Sequence, residues 1–244
     1  MVCLDSLTGK RLWEARPTRL EQAKKINVRV NQNSGRAFGN NTVCVSYIGN
    51  RRVENQWRQM IFIAAYRLDS GKLAWVATVD GAHPSTNRGF DSLVGMGDKL
   101  VTGTMTHNPQ HGEPALYVWS FESGKLLKKV DLEGRGLTGD LIRVDGSRVA
   151  AAYTDERNRG RVGVFDVEKG AFAWSAAMTI NSWNGELRLA GERLVLSNNH
   201  GVEAFELESG KALWSNNLSR ERRVVMDVTA DPMGVFVDRK STRL

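Results

Sequence analysis

The stretch AFELESGKALW, Ala204 to Trp214, decides the reading of this chain, because the same phrase returns four more times. The other copies are CLDSLTGKRLW (Cys3 to Trp13), AYRLDSGKLAW (Ala65 to Trp75), VWSFESGKLLK (Val118 to Lys128) and VFDVEKGAFAW (Val164 to Trp174). Val202 to Phe205 alternates in the manner of a strand, Glu208-Ser209-Gly210 is a polar turn, and Ala212 to Trp214 begins a second strand. The phrase is therefore a β-hairpin. Its fixed glycine permits the positive φ that a three-residue turn with a bulge requires. That glycine recurs as Gly9, Gly71, Gly124, Gly170 and Gly210, at spacings of 62, 53, 46 and 40 residues. A tryptophan stands four residues later in four copies (Trp13, Trp75, Trp174 and Trp214), and Lys128 takes its place in the third.

Two further strand-like runs precede the hairpin in each repeat. They are clearest as Leu187 to Leu189 and Leu194 to Ser197 around a Gly191-Glu192 turn, and as Leu141 to Val144 and Val149 to Tyr153 around Asp145-Gly146. Each repeat then holds four antiparallel strands, A to D in chain order. No stretch sustains a helical period, and the βαβ rhythm of a parallel barrel is missing. A four-stranded unit has two apolar faces and must stack on its neighbours. The sequence predicts an all-β fold, a β-propeller of four-stranded antiparallel blades. Four blades are complete, roughly 26–79, 80–132, 133–178 and 179–218. A C–D hairpin precedes them, and A and B strands follow near 224–228 and 234–237, so the expected ring is incomplete. A buried tryptophan removes about 150 to 250 Å² from water, roughly 4 to 6 kcal/mol before ordering costs. Trp13, Trp75, Trp174 and Trp214 accordingly read as packing anchors between blades.

Composition agrees with a globular chain: 244 residues, 34 Lys plus Arg against 27 Asp plus Glu, a net charge of +7, 41% hydrophobic residues and 24 glycines. Two cysteines, Cys3 and Cys44, make neither a disulfide framework nor a CxxC pair and read as buried free thiols. No apolar run approaches the roughly 18 residues of a membrane-spanning helix. Residues 1–237 are assigned to the partial propeller. The last seven, DRKSTRL from Asp238 to Leu244, read as a non-native tail, without which the net charge is +5. GxSxG, HExxH, Walker-type and GxGxxG patterns are absent, which leaves hydrolase, zincin and nucleotide-binding readings without support.

The recurring phrase resembles the tryptophan-docking motif of the PQQ-like β-propeller family, and the resemblance covers nearly the whole chain. The first copy keeps Asp5, Thr8, Gly9, Lys10 and Trp13; the fourth keeps Asp166, Gly170 and Trp174 with Ala171 for the lysine. Arg67, Ser120 and Glu206 stand where the family usually has aspartate. The resemblance implies a bacterial propeller, commonly of seven or eight blades, that works outside the cytoplasm in the periplasm or cell envelope. It spans quinoprotein dehydrogenases, the lipoprotein scaffold of the outer-membrane β-barrel assembly machinery, and sensors attached to protein kinases. The expectation taken from it is a non-catalytic scaffold or sensor that binds a protein or peptide and carries no cofactor. The alternative is a fragment of a quinoprotein dehydrogenase oxidising alcohols or sugars, which would require PQQ and Ca²⁺. The adjacent cysteines typical of alcohol-oxidising relatives are missing here.

In such a blade the B–C hairpins and D–A connections share one end, and the insertions fall there: 49–59, 106–114, 154–160 and the short 198–200. Insertions confined to one face mark a candidate binding face. Carboxylates stand at or just before the inner strands, namely Asp91, Asp140, Glu186 and Asp227, with Asn33 roughly equivalent in the first blade. Together they read as an acidic arc at the channel mouth, suited to a cation or a basic peptide, or alternatively as strand caps. Trp183 adds a stacking surface at the same mouth, with packing under the connection as its other reading. His107 and His111 lie in a Pro- and Gly-bounded loop without further ligands, so no metal site is assigned. Arg51, Arg52, Arg58, Arg157, Arg159 and Arg161 form a basic rim, and no nucleic-acid motif accompanies them.

Overall fold

All five recurring glycines adopt positive φ, between 66° and 71°, so each copy of the phrase closes through the same left-handed turn. Strand pairing slips by one residue beside these turns, at Ala65/Tyr66, Val164/Phe165 and Ala204/Phe205, which is the bulge the turn type brings with it. The structure, a computed structural model, describes residues 2–4, 7–14, 28–39, 41–53, 56–79, 93–104, 114–134, 136–180, 186–198, 200–218, 223–230 and 234–241. For 2–3, 28–35, 48–53, 56–61, 139–140, 223–230 and 236–241 it describes strand placement only.

The described residues form four four-stranded antiparallel sheets, each a meander in chain order. The first holds β3 (Val28–Gly39), β4 (Thr42–Val53), β5 (Gln56–Arg67) and β6 (Leu73–Val79). The second holds β7 (Leu93–Met96), β8 (Lys99–Gly103), β9 (Ala115–Ser120) and β10 (Leu126–Asp131). The third holds β11 (Leu137–Arg143), β12 (Arg148–Thr154), β13 (Gly160–Asp166) and β14 (Ala171–Ala177), and the fourth β15 (Glu186–Ala190), β16 (Arg193–Asn198), β17 (Gly201–Glu206) and β18 (Ala212–Asn217). Two-stranded sheets, β1 (Val2–Leu4) with β2 (Arg11–Glu14) and β19 (Arg223–Ala230) with β20 (Val235–Ser241), stand before and after them. The described residues contain no helix, and these sheets are the blades of a β-propeller. β20 continues to Ser241, so Asp238 to Ser241 pair with β19.

The chain divides into two compact units, Met1–Lys129 and Val130–Leu244. In the first, the middle strands are buried on both faces. Phe62, Ala64 and Tyr66 of β5 join Val43, Val45 and Tyr47 against Trp13, while Ile63 and Ala65 join a cluster with Leu93, Leu100, Tyr117 and Phe121 of the next blade. In the second unit, Ala150, Val162 and Val164 pack on Leu187, Leu194, Leu196 and Phe205, and the far face of that last blade gathers Val195, Val202, Ala204 and Leu218 with Val235 of β20.

Each of three indoles closes a junction in the same manner. Trp13 Nε1 donates to the Leu68 carbonyl at 2.7 Å, Trp75 to Phe121 at 3.0 Å and Trp174 to Leu207 at 2.8 Å. The acceptor is always three residues before the next recurring glycine, and the ring covers that glycine. A Cβ added to Gly71, Gly124 or Gly210 would come within 2.6, 2.5 or 2.3 Å of the indole, so the position needs glycine for space as well as for φ. Trp214 differs: it is 41% exposed on β18, whose residues are all exposed.

Candidate functional site

Antiparallel connectivity puts the B–C hairpin and the D–A connection at one end of every blade and the A–B and C–D turns at the other. In the second unit the former end is built by side chains folded back onto the backbone. Asp155, buried at the start of the β12–β13 hairpin, accepts from the amides of Arg157 and Arg159 through Oδ1 at 2.9 Å each, and from Arg159 Nε through Oδ2 at 2.7 Å. Arg159, first through its side chain and then its amide, holds the Asp155 carboxyl below its ordinary range. The tip then exposes Glu156, Arg157, Asn158 and Arg159, with Asn158 in the left-handed region at φ 58°. Gly134, in the connection entering this blade, lies so close that an added Cβ would meet the Asp155 carbonyl at 2.0 Å.

The next blade repeats the device in shorter form. Asn198 Oδ1 accepts from the amides of His200 and Gly201 at 2.8 and 3.1 Å, tying the β16–β17 hairpin. Glu203 is buried on β17, and its Oε1 accepts from the Thr179 and Ile180 amides, at 2.7 and 3.0 Å, and from the Thr179 hydroxyl. It thereby anchors the connection that enters its own blade; Oε2 is buried without a hydrogen-bond partner among the described residues. In the first unit Thr104 closes the β8–β9 hairpin, its Oγ1 accepting from the Ala115 amide at 2.9 Å.

The opposite end carries a cross-blade clamp. Arg148 is bidentate to Glu208, both contacts at 2.8 Å, and Nε donates to Asp145 at 2.6 Å. Asp145 also accepts from the amides of Ser147 and Arg148 at 2.8 Å each, which makes the A–B turn an Asx turn.

Of the residues read from sequence as the acidic arc, Glu186 is the one whose side chain is described. It opens β15, is 54% exposed, and pairs with Arg188 at 3.1 Å, a neighbour that offsets its charge locally. Asp140 lies within β11 and Asp227 within β19, and Asn33 within β3, each by strand placement alone. Asp91 and Trp183, with His107 and His111, lie outside the described residues. Among the described residues no group of three or more His, Cys, Asp or Glu is placed to hold a metal ion, and no helix is long and apolar enough to cross a membrane. Cys44 is fully buried, and burial pushes its thiol up to about 12.

The segment 49–59, read from sequence as an insertion in the B–C hairpin, lies in that hairpin and is mostly strand. β4 runs on to Val53 and β5 begins at Gln56, and these two residues pair with each other. β5 begins nine residues before Ala65, the residue opposite Trp75, whereas β13 and β17 begin four and three residues before their counterparts Val164 and Ala204. The five-residue excess over β13 is about 17 Å of additional ribbon at the B–C end.

Residues 59–240 match the family model described as outer membrane protein assembly factor BamB. The chain belongs to that family of PQQ-like β-propellers. Comparison with curated protein sequences gives no significant match. Among solved structures, BamB from Moraxella catarrhalis superposes with a TM-score of 0.50 at 14% identity, covering 77% of this chain and 65% of that one. The Dos1 propeller gives 0.52 at 10% identity over 78% of this chain and 49% of its own. An acylaminoacyl peptidase complex gives 0.51 at 11% identity over 84% and 35%. The chain thus spans less than two thirds of each of these proteins, and at such identities the likeness is one of fold.

Proposed function

We propose that this protein is a non-catalytic scaffold that binds a protein partner through the B–C and D–A ends of its blades, in the bacterial cell envelope. The observation that carries the reading is the contrast between ends. The C–D turns keep to one short glycine-turn form, while the B–C hairpins range from the tight β16–β17 pair, in which Asn198 faces Gly201, to the extended β4–β5 ribbon, on bases braced by Asp155, Asn198 and Thr104. Variable loops on a rigid base are where folds of this kind place recognition. The family's description as an outer membrane assembly factor supports both the partner class and the compartment. In this reading Asp91, Asp140, Glu186, Asp227 and Trp183 contribute to binding the partner, and no quinone is bound.

The test places a photo-crosslinking residue at Arg157 or His200, exposed at the B–C end, and at Glu122 or Lys169, exposed at the opposite end. With bacterial envelope extract, a protease-sensitive adduct of constant mass is expected from the first pair and not from the second. Adducts confined to Glu122 and Lys169, or dye reduction that appears only after loading with PQQ and Ca²⁺, would overturn the proposal.

A further inference from the structure

The β4–β5 ribbon has a composition unlike the rest of the chain. From Val28 to Met60 the charged residues are Arg29, Arg36, Arg51, Arg52 and Arg58 against Glu54, with no lysine, so this segment carries +4 of the chain's +7. Register places Arg51 directly opposite Arg58, with Val28 of β3 in the same row. By alternation that row shares a face, while Arg52, opposite Trp57, shares the other face with Arg29, Asn50 and Gln59. Like charges directly opposite on a hairpin destabilise it. An acidic ligand would offset the two positive charges that the register brings into one row, and arginine, unlike lysine, meets carboxylates through a bidentate fork.

We infer that the projecting β3–β4–β5 ribbon, with Arg51 and Arg58 juxtaposed on one face and Arg29 and Arg52 on the other, is the docking arm for an acidic, extended polypeptide segment. A polypeptide fits better than a polyanion of another kind for two reasons. Arginines occur on both faces of the ribbon, matching the alternate side chains of a strand laid alongside it. The pairing of β6 with β5 reaches Ile61↔Val79, while β5 itself runs back to Gln56, and the added strand would lie alongside Gln56 to Met60. The inference rests on the partner-binding reading and specifies the chemistry of one contact.

The test uses the full chain and a fluorescent peptide of six Asp-Thr repeats, with a Lys-Thr peptide as control, read by anisotropy at two salt concentrations. Expected is binding of the acidic peptide alone, weakening as salt rises, and about tenfold weaker in Arg51→Ser/Arg58→Ser. Arg58→Glu provides an independent check, because it places opposite charges across the ribbon. It is expected to retain or raise the melting temperature while abolishing peptide binding. Unchanged peptide binding in Arg58→Glu overturns the inference. So does tighter binding of an oligothymidylate of equal charge, or of vesicles containing about 30% anionic lipid, than of the peptide. Crosslinks from Arg157 and His200 that persist alongside such a result would show that the scaffold reading stands and the arm assignment alone has failed.

Discussion

An alanine at Gly210 would push a methyl group to 2.3 Å from Trp174 Cε3, at a φ of 71° that alanine tolerates poorly. Gly210→Ala is expected to lower the stability of the second unit by about 2 kcal/mol or more. Gly146→Ala, with open space around it and no left-handed φ, should change it by less than about 0.5 kcal/mol. The two tryptophans of the same unit separate in the same way. Trp174→Ala leaves the Leu207 carbonyl without its donor and opens the space over Gly210, a loss of about 3 kcal/mol in urea unfolding. Trp214→Ala, on an exposed strand, should cost under about 1 kcal/mol. The recurring glycines and indoles were legible because one phrase repeats five times. Their difference in burial was not, because it depends on whether another turn lies against the ring.

At the scale of the element, hairpins were legible where turn chemistry is local. Asp145-Gly146 and Gly191-Glu192 announce themselves as turns. Asp155 and Asn198 also carry a readable signal, an Asx residue at the mouth of a short polar tip, which a search for catalytic patterns passes over. Glu203 was legible in principle as a charge between Val202 and Ala204 on the alternation that leads to Phe205. Its partners, Thr179 and Ile180, lie across the sequence and needed the fold. Glu203→Ala strips three donors of their acceptor and is expected to cost the second unit about 3 kcal/mol, measured against Glu203→Gln, which retains an acceptor oxygen. The length of β4 and β5 was hidden because Gly49 to Gln59 is polar with no alternating apolar pattern, so only the pairing reveals the strand.

The Asp155 hairpin yields a pH dependence of defined sign. Arg159 keeps the carboxyl below its unfolded value, near 4. The stability it contributes is therefore complete above that value and is lost as pH falls through the lower, folded one. The gap in melting temperature between the wild type and Asp155→Asn should be constant from about pH 5 to 8 and narrow as pH drops below about 4.

For the whole molecule, the fold follows from stacking. Within each of the two units, blades with two apolar faces cover one another, and the turn that receives each indole lies at the opposite end of its blade from the B–C hairpin. Function was less legible than fold, because a propeller fixes where loops emerge and leaves their chemistry to particular side chains. Among the carboxylates read as an arc, Glu186 already has Arg188 beside it, a pairing that strand alternation at a two-residue spacing could have shown. Exchange of indole N–H protons, followed by NMR on tryptophan-labelled protein, tests the stacking most directly. Slow exchange is expected at Trp75 and Trp174, whose Nε1 groups donate to Phe121 and Leu207, and rapid exchange at Trp214. Rapid exchange at Trp75 and Trp174, or protection of Trp214 equal to theirs, would contradict the stacking.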